Sequence, residues 1–578
     1  MHIRNEYPRP QLRRDEWLPL NGQWQFDFDD EADGLKRKLY LGETDLSRLI
    51  NVPFTYQYEA SGIGEQDRHE VLWYKRGFTL TDKQLSKRTL ICFNGCDYVA
   101  DVWVNGFHVT THQGAYTAFT ADITDYVTKE NVVVVRCYDP FDPTIPRGKQ
   151  SWTNERFGCW YVPNSGIWQS VWVEFFETDC LDAYSLIPNI DDCSFGGELT
   201  TLYGRADKAR FTVSLDGKVI KTAEFSLDGK HTRYNVSLTE RNCVDEDMYW
   251  SVERPNLIYV DIELYAGERL SDTVHTRFGM RKISVNDGIV CLNNSPLYQR
   301  LILDQGYFAE SGITPPSTEA IKRDIELSIA MGFNGARKHQ KIEDPYFYYY
   351  AEELGFLVWC EMPSAYSYNS REQQLIMREW QEIVRVCRNY TSVVCYVPLN
   401  ESWGVRKILN DGSQQDFARS LYYATRALDE SRIISTNDGW ENVDASDIVS
   451  VHDYSMTPDG FAAKYDPDAL DTVYPQRRKL LCNGVSYNGA PVLMTEFGGI
   501  AMQNETNGDN WGYNVGAKDN DEFYSRYGKL IQGISELYFQ GFCYTQLTDA
   551  QQEVNGLLDE HHNPKFDVAV IKKLTDII

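Results

Sequence analysis

The chain contains no Cys-x-x-Cys. Its 13 cysteines, an odd number, are scattered through 578 residues, so neither a zinc ribbon nor a thioredoxin-type site is signalled. Buried free thiols in a reducing compartment are expected instead. No stretch approaches the roughly 18 consecutive apolar residues of a membrane-spanning helix. The start, Met1-His2-Ile3-Arg4-Asn5-Glu6-Tyr7-Pro8, has no apolar signal core. A cytoplasmic protein with small, imported substrates is the expectation. Positive charge is also scarce: 57 Lys and Arg stand against 84 Asp and Glu, for a net charge of −27. Such a surface repels phosphate backbones and anionic lipid, so no nucleic-acid or membrane partner is expected. An anionic substrate would need a local basic pocket. Repeats and low-complexity tracts are missing as well.

What is present is an ordinary globular composition, 42% hydrophobic and 24% charged. At about 150 residues per domain, the length implies roughly three or four domains. Residues 1–180 read as all-β, with short apolar runs such as Val71-Leu72-Trp73, Thr89–Phe93, Val99–Val104, Val132–Cys137 and Val171–Phe176. Asn105-Gly106 joins two of these runs, and both residue types tolerate the positive φ of a tight hairpin. Strands without intervening helices predict a sandwich. Residues 181–280 predict a smaller, immunoglobulin-like sandwich. There Phe211–Leu215 alternates, Asp216-Gly217 turns, and Tyr259–Leu264 alternates again.

From residue 281 to 578 helical patterns alternate with short buried strands. Ser317 precedes a helix with Ile321, Ile325 and Ile329 on one face. Asp344-Pro345 opens another, ending at Leu354-Gly355, and Leu375, Ile376, Ile383, Val386 and Cys387 line a third. The strands are expected at Phe333–Ala336, Phe356–Cys360, Val393–Val397, Ile433–Ser435, Ile448–Val451, Val492–Met494 and Phe542–Tyr544. Such alternation predicts a (β/α)₈ barrel. The alternative, a doubly wound sheet, is weakened because no Gly-x-Gly-x-x-Gly follows a strand. Tyr368–Arg371 and the run Gln503–Asn520 are expected to be barrel-top loops, where access and specificity are set.

Barrel enzymes carry their reactive groups just past the C-terminal ends of strands. Past Val393–Val397 comes Pro398-Leu399-Asn400-Glu401-Ser402-Trp403; past Val492–Met494 comes Thr495-Glu496-Phe497-Gly498. Two carboxylates at one barrel mouth suit cleavage of a glycosidic bond. One protonates the leaving oxygen while the other attacks the sugar carbon, with retention when they lie about 5–5.5 Å apart. One of the pair must stay protonated near neutral pH. Among 37 Tyr and 14 Trp, Trp403, Trp440 and Tyr454 sit near strand ends and are candidate platforms for a sugar ring.

These motifs resemble family 2 of the glycoside hydrolases, the family of β-galactosidases, β-glucuronidases and β-mannosidases, nearly end to end. Asn51-Val52-Pro53-Phe54, Trp73-Tyr74-Lys75-Arg76, Asp101–Gly106 and Ser165-Gly166-Ile167-Trp168 resemble its sugar-binding jelly roll. Arg277-Phe278-Gly279-Met280-Arg281-Lys282 resembles the end of its immunoglobulin-like domain. The resemblance implies Glu401 as acid/base, Asn400 as the ligand of the sugar 2-hydroxyl, and Glu496 as nucleophile. It further implies Arg337 beneath the nucleophile, Tyr454 hydrogen-bonded to it, and His339 as an active-site histidine, one residue closer to Asn334 than is usual.

The departures bear on specificity. Family β-glucuronidases carry an Asn-x-Lys after the last strand; Glu553-Val554-Asn555-Gly556-Leu557-Leu558 lacks that lysine, and Asn563-Pro564-Lys565 comes too late. Thr545 or Gln546 replaces the usual last-strand tryptophan. No carboxylate-and-histidine metal site is recognisable after Glu361-Met362-Pro363, so neither metal nor cofactor is expected. The sequence therefore predicts a retaining exo-β-glycosidase acting on small carbohydrates, β-galactosidase-like, with a homo-oligomer plausible from the resemblance. β-Glucuronidase, β-mannosidase and arabinosidase or galactofuranosidase specificities remain alternatives. So do a non-catalytic carbohydrate-binding protein and a structural sandwich protein.

Overall fold

The computed structural model describes residues 4–238 and 248–577. Met1, His2 and Ile3 of the quoted N-terminal segment, and Cys243, lie outside the described residues.

The N-terminal unit is an antiparallel sandwich. One sheet orders the strands Arg48–Val52, Gly22–Phe28, Val71–Thr79, Glu130–Tyr138, Val99–Val104 and Phe107–Gln113. The other orders Trp17–Pro19, Val171–Phe176, Arg88–Phe93 and Phe119–Asp122. Alternate residues of both sheets, among them Trp24, Phe26, Tyr74, Val102, Val135 and Val173, interdigitate in one apolar core. The hairpin at Asn105-Gly106 forms as expected, with φ of 51° and 81°. The second unit packs the sheet containing Ser194–Thr201 and His231–Ser237 on the sheet containing Lys208–Leu215, Ile258–Ala266 and Arg269–Phe278. Its core includes Phe195, Phe211, Val260 and Ile262.

The third unit is the barrel. Its eight parallel strands are β1 (Gln299–Asp304), β2 (Gly335–Lys338), β3 (Leu357–Glu361), β4 (Val393–Val397), β5 (Ile433–Ile434), β6 (Val449–His452), β7 (Val492–Gly498) and β8 (Gly541–Thr545). They are ordered 5-4-3-2-1-8-7-6, so the first strand pairs with the last and the sheet is curled rather than doubly wound. The two ends meet where the His452 amide donates to the Gly439 carbonyl across 3.0 Å. Helix α1 (Thr318–Ala330) is capped by Ser317, α2 (Pro345–Leu354) by Asp344, and α3 (Ser370–Cys387) by Asn369.

Four expectations need correction. β1 was not foreseen, because Leu301-Ile302-Leu303 is a very short apolar run with no helical pattern before it. β7 continues through Glu496 to Gly498, so this carboxylate lies within a strand. The buried face of α3 is Ile376, Trp380, Ile383, Val384 and Cys387, while Val386 is exposed. Finally, Ser370 and Arg371 open α3 instead of ending a loop, since Asn369 accepts hydrogen bonds from the Arg371 and Glu372 amides.

The sandwich reaches over the barrel mouth through residues 140–165. The Arg147 amide donates to the Ser364 carbonyl (3.1 Å) and the Tyr161 hydroxyl to Glu553 Oε2 (2.7 Å). At Gly148 (φ +60°) the backbone passes so near the barrel that a Cβ would stand 2.2 Å from the Gln340 carbonyl oxygen.

Candidate active site

Arg337 is the organising charge. It lies in β2, wholly buried, and a short strand directs its guanidinium into the barrel axis. Nε donates to Glu361 at the end of β3 (3.0 Å), Nη1 to the Thr495 carbonyl (2.7 Å), and Nη2 to Asn400 Oδ1 (2.9 Å) and Glu496 Oε1 (2.8 Å). Asp438 Oδ2 stands 3.3 Å from Nη1. A planar fork of five donors suits this set of acceptors.

Glu496 is held at both oxygens, because the Tyr454 hydroxyl donates to Oε2 across 2.6 Å. Tyr454 stacks on Tyr513 with ring centroids 3.5 Å apart and nearly parallel planes. Asn400 is oriented by Arg337 at its oxygen, which leaves its buried Nδ2 without a protein partner. A buried donor left open in this way suits a ligand hydroxyl.

Glu401 sits opposite. The short strand Leu399–Asn400 pairs in parallel with Asn437–Asp438, and the Glu401 amide donates to the Asp438 carbonyl (2.8 Å). Glu401 and Ser402 both adopt left-handed backbone, φ 51° and 57°. Such strain at non-glycine residues needs support from the surroundings. Ser402 supplies some, with its amide donating to Asn437 Oδ1 and its hydroxyl to Glu441. Trp403 Nε1 approaches Glu401 Oε2 at 3.3 Å. One carboxylate oxygen of Glu401, one of Glu496 and one His452 ring nitrogen lie within 4.8 Å of one another.

His339 accepts from Arg337 Nη2 at Nδ1 (3.0 Å). Burial first, then the Arg337 charge, pushes its pKa well below the ordinary histidine value, so it is neutral. Trp440 stands behind the mouth, edge-on to the His452 ring at 5.7 Å.

Three groups escaped the sequence reading: Glu361, Asp438 and His452. His452 ends β6 and bridges Glu401 Oε1 at Nδ1 (2.9 Å) and Asp438 Oδ2 at Nε2 (3.0 Å). The strand-end rule would have flagged Glu361, and His452 stands two residues before Tyr454. Asp438 follows the two-residue β5, too short to signal. Burial would lower the His452 pKa, but Glu496, Asp438 and Glu401 raise it to about 9. Burial would likewise raise Glu401, but the hydrogen bond and charge of His452 pull it down to about 2. In the unliganded site Glu401 is therefore an anion. The sequence alone required one carboxyl of the pair to stay protonated near neutral pH; in the empty site the cationic neighbour His452 works against that at Glu401. Burial raises Glu361 to about 7 against the pull of Arg337. The spacing of Glu401, His452 and Glu496 would fit a cation, yet both His452 nitrogens are taken up by carboxylates as in an ion-pair network.

Three barrel lysines that a substrate carboxylate could call on, Lys338, Lys341 and Lys565, are already engaged. Lys338 pairs with Asp304 and Glu343, both at 2.7 Å. Lys341 holds the Gly306 and Ile313 carbonyls and Glu343, and Lys565 holds Glu505 and Asp549. The sandwich instead supplies Lys149. Burial lowers its pKa, but Cys159, Glu553, Glu401 and Glu496 raise it, so it stays a cation, with Nζ 5.8 Å from the centroid of the Tyr161 ring. At the end of β8, Gln546 Oε1 accepts from Gln305 (2.9 Å), while its buried Nε2 has no protein partner.

Residues 18–171 match the sugar binding domain of glycosyl hydrolases family 2, residues 183–281 match glycosyl hydrolases family 2, and residues 353–525 match cellulase, glycosyl hydrolase family 5. A β-galactosidase of Thermoanaerobacter pseudethanolicus is 24% identical over 432 residues, 72% of this chain and 54% of that protein. A putative β-glucuronidase of Formosa agariphila is 24% identical over 443 residues, 73% of this chain and 51% of that protein. The chain thus spans about half the length of these curated relatives. A solved β-glucuronidase from Ruminococcus gnavus superposes with a TM-score of 0.79 at 18% identity, over 99% of this chain and 100% of that one, and so shares its fold. The sandwich and the central unit thus each match a domain of glycosyl hydrolases family 2, in this order ahead of the barrel.

Proposed function

We propose that the chain is a retaining exo-β-glycosidase that removes terminal non-reducing sugars from small glycosides or oligosaccharides, with galactoside-type sugars preferred. Glu496 is the nucleophile and Glu401 the acid/base. The observation that carries this reading is the facing pair itself: carboxylate oxygens from after β4 and from β7 stand within 4.8 Å. That is the close spacing of a retaining pair, whereas inversion needs carboxyls about 6.5–9.5 Å apart. Glu496 attacks the anomeric carbon as Glu401 protonates the departing oxygen. Water then releases the sugar while Glu401 takes the water's proton. Arg337 and Tyr454 hold Glu496 by its two oxygens and aim it, Asn400 Nδ2 meets the 2-hydroxyl, Trp403 borders the leaving-group side, and His339 and Trp440 back the site. The sandwich loop over the mouth supports exo action.

Three units, 1–180, 181–280 and 281–578, are the proposed division, supported by the sheet pairings. A reducing, cytoplasmic setting is supported by buried unbridged thiols such as Cys92, Cys395 and Cys543. Among the described residues no helix is long and apolar enough to cross a membrane. The net charge of −27 speaks against nucleic-acid partners.

A panel of p-nitrophenyl glycosides with NMR of the first-formed anomer tests the reading. Turnover with retention is expected; no turnover of any glycoside, or inversion, refutes it. Glu401→Ala should yield a β-glycosyl azide with added azide, and Glu496→Ala an α-glycosyl azide. Reversed products would exchange the two roles. A second reading, action on uronides, is favoured by one observation, the Lys149 ammonium. Glu553 beside it and the surrounding carboxylates oppose an anionic sugar.

A further inference from the structure

The proposed mechanism leaves the acid's proton unaccounted for. Glu401 must give a proton to the leaving oxygen, yet in the free site it is an anion beside a cationic imidazole. We propose that His452 is the positioning residue that holds this proton, and that the chain Asp438–His452–Glu401 delivers it to the acid/base. The inference rests on the glycosidase reading above.

The geometry fits a store rather than a bystander. His452 is wholly buried, and Nε2–H donates to Asp438 Oδ2 across 3.0 Å while Nδ1–H donates to Glu401 Oε1 across 2.9 Å. The ring lies flush on Gly439 (φ +106°), where a Cβ would come within 2.6 Å of Nδ1, so no other residue fits beneath it. Asp438 is fixed in turn by the Ser435 hydroxyl (2.9 Å) and by Arg337. The charged groups facing His452 come from four sides. They are Glu401 beyond β4, Asp438 beyond β5, Glu496 of β7 with Oε2 3.4 Å from Nδ1, and Arg337 of β2 with Nη1 3.4 Å from Nε2. Glu361 of β3 lies in the same field. Three nearby carboxylates outweigh one guanidinium, so the imidazolium is favoured when the site is empty.

The proton count closes over a cycle. When a substrate displaces water at the mouth, the Nδ1–H bond breaks, its electron pair stays on Nδ1, and an O–H bond forms on Glu401. Neutral His452 keeps its Nε2 proton on Asp438. Glu401 then passes its proton to the leaving oxygen as the glycosidic bond breaks and Glu496 bonds the sugar. In the second half, attacking water loses a proton to Glu401, the sugar leaves Glu496, and that proton returns to Nδ1.

The test is the basic limb of kcat/KM against pH, measured for aryl glycosides of good and poor leaving groups. In the native enzyme the limb should report the shared proton, near the imidazolium value of about 9. In His452→Gln the proton has only Glu401 to reside on. The limb should then fall by at least about one unit, with a loss of roughly 10–100-fold at pH 8 for poor leaving groups and little for dinitrophenolate. Asp438→Asn, which keeps the imidazole but removes its anion, should move the limb the same way by less. Unchanged limbs in both variants, or an equal loss for every leaving group, would overturn the inference. Should His452→Gln fail to fold, Asp438→Asn alone decides. If Glu401→Ala itself shows no selective loss with poor leaving groups, the glycosidase assignment fails. If Glu401→Ala shows that loss and the two variants keep the native limb, only the role of His452 fails.

Discussion

Two buried ion clusters sit in this molecule, and their difference separates architecture from chemistry. In the sandwich, Glu174 is fully buried, and both its oxygens are consumed by Arg9, Arg14, Tyr7 and the Trp172 indole. Arg14 also forks onto Asp272 of the second unit at 2.9 and 2.8 Å and onto the Leu181 carbonyl. Neither oxygen of Glu174 is left open, and the cluster ties the N-terminal segment to both sandwiches. In the barrel, Arg337 gathers a larger set of groups, but Asn400 Nδ2 is open and Glu401 Oε2 has only the long contact to Trp403. Arginine, glutamate, aspartate and tyrosine serve in both places. Saturation makes a clamp; valences left open toward a mouth make a site.

The sharpest way to break the comparison is to delete one carboxylate from each cluster. Glu496→Gln should cost at least about 10⁴-fold in kcat, with a melting temperature near native. Glu174→Ala should leave half-buried Arg9 without its carboxylate and buried Arg14 with that of Asp272 alone, and cost about 3–5 kcal/mol of stability, with native kcat per folded molecule. Urea unfolding and active-site titration on both variants check this; a catalytic defect in folded Glu174→Ala would show that the clamp also shapes the site.

Acid and alkali should act on the clusters in opposite directions. Against the pull of burial, Arg9 and Arg14 hold Glu174 at about 2, below its ordinary 4.5. Its contribution is therefore present above about pH 4.5 and is lost as pH falls through about 2. His452 is raised from 6.5 to about 9. Its contribution is complete below about pH 6.5 and is lost as pH rises through about 9. Thermal melts across pH should show an acid decline that flattens in Glu174→Gln and an alkaline decline that flattens in His452→Gln.

A smaller effect concerns Lys149. With Glu553 beside it, the native enzyme should prefer galactosides to glucuronides, and Lys149→Met should lower any glucuronide turnover by roughly tenfold, in line with the loss of one charge-assisted contact. Faster cleavage of the glucuronide by the native enzyme would favour the uronide reading. The smallest expected change is Asn369→Ala, which removes the cap of α3 for about 1 kcal/mol and should leave specificity untouched.

Local pattern carried much of the outcome. Asn105-Gly106, the Ser317 and Asp344 caps, and the apolar strand Val393–Val397 each have a physical preference readable from a few neighbours. The order sandwich, sandwich, barrel follows from strand and helix periodicities, and two glutamates at barrel strand ends follow from alternation followed by an acid. By itself, then, the sequence determined the architecture and nominated Glu401 and Glu496. It could not rank Glu361, Asp438 or His452, which are 91 residues apart at the extremes and meet only when β3, β5 and β6 curl into one ring. Nor could it show that Lys149 of the sandwich reaches a barrel mouth, or that His452 makes Glu401 an anion. Those outcomes depend on distances of about 3 Å between chain-distant charges in a dry interior, and burial and Coulomb energy are properties of the packed molecule, not of any stretch of its chain.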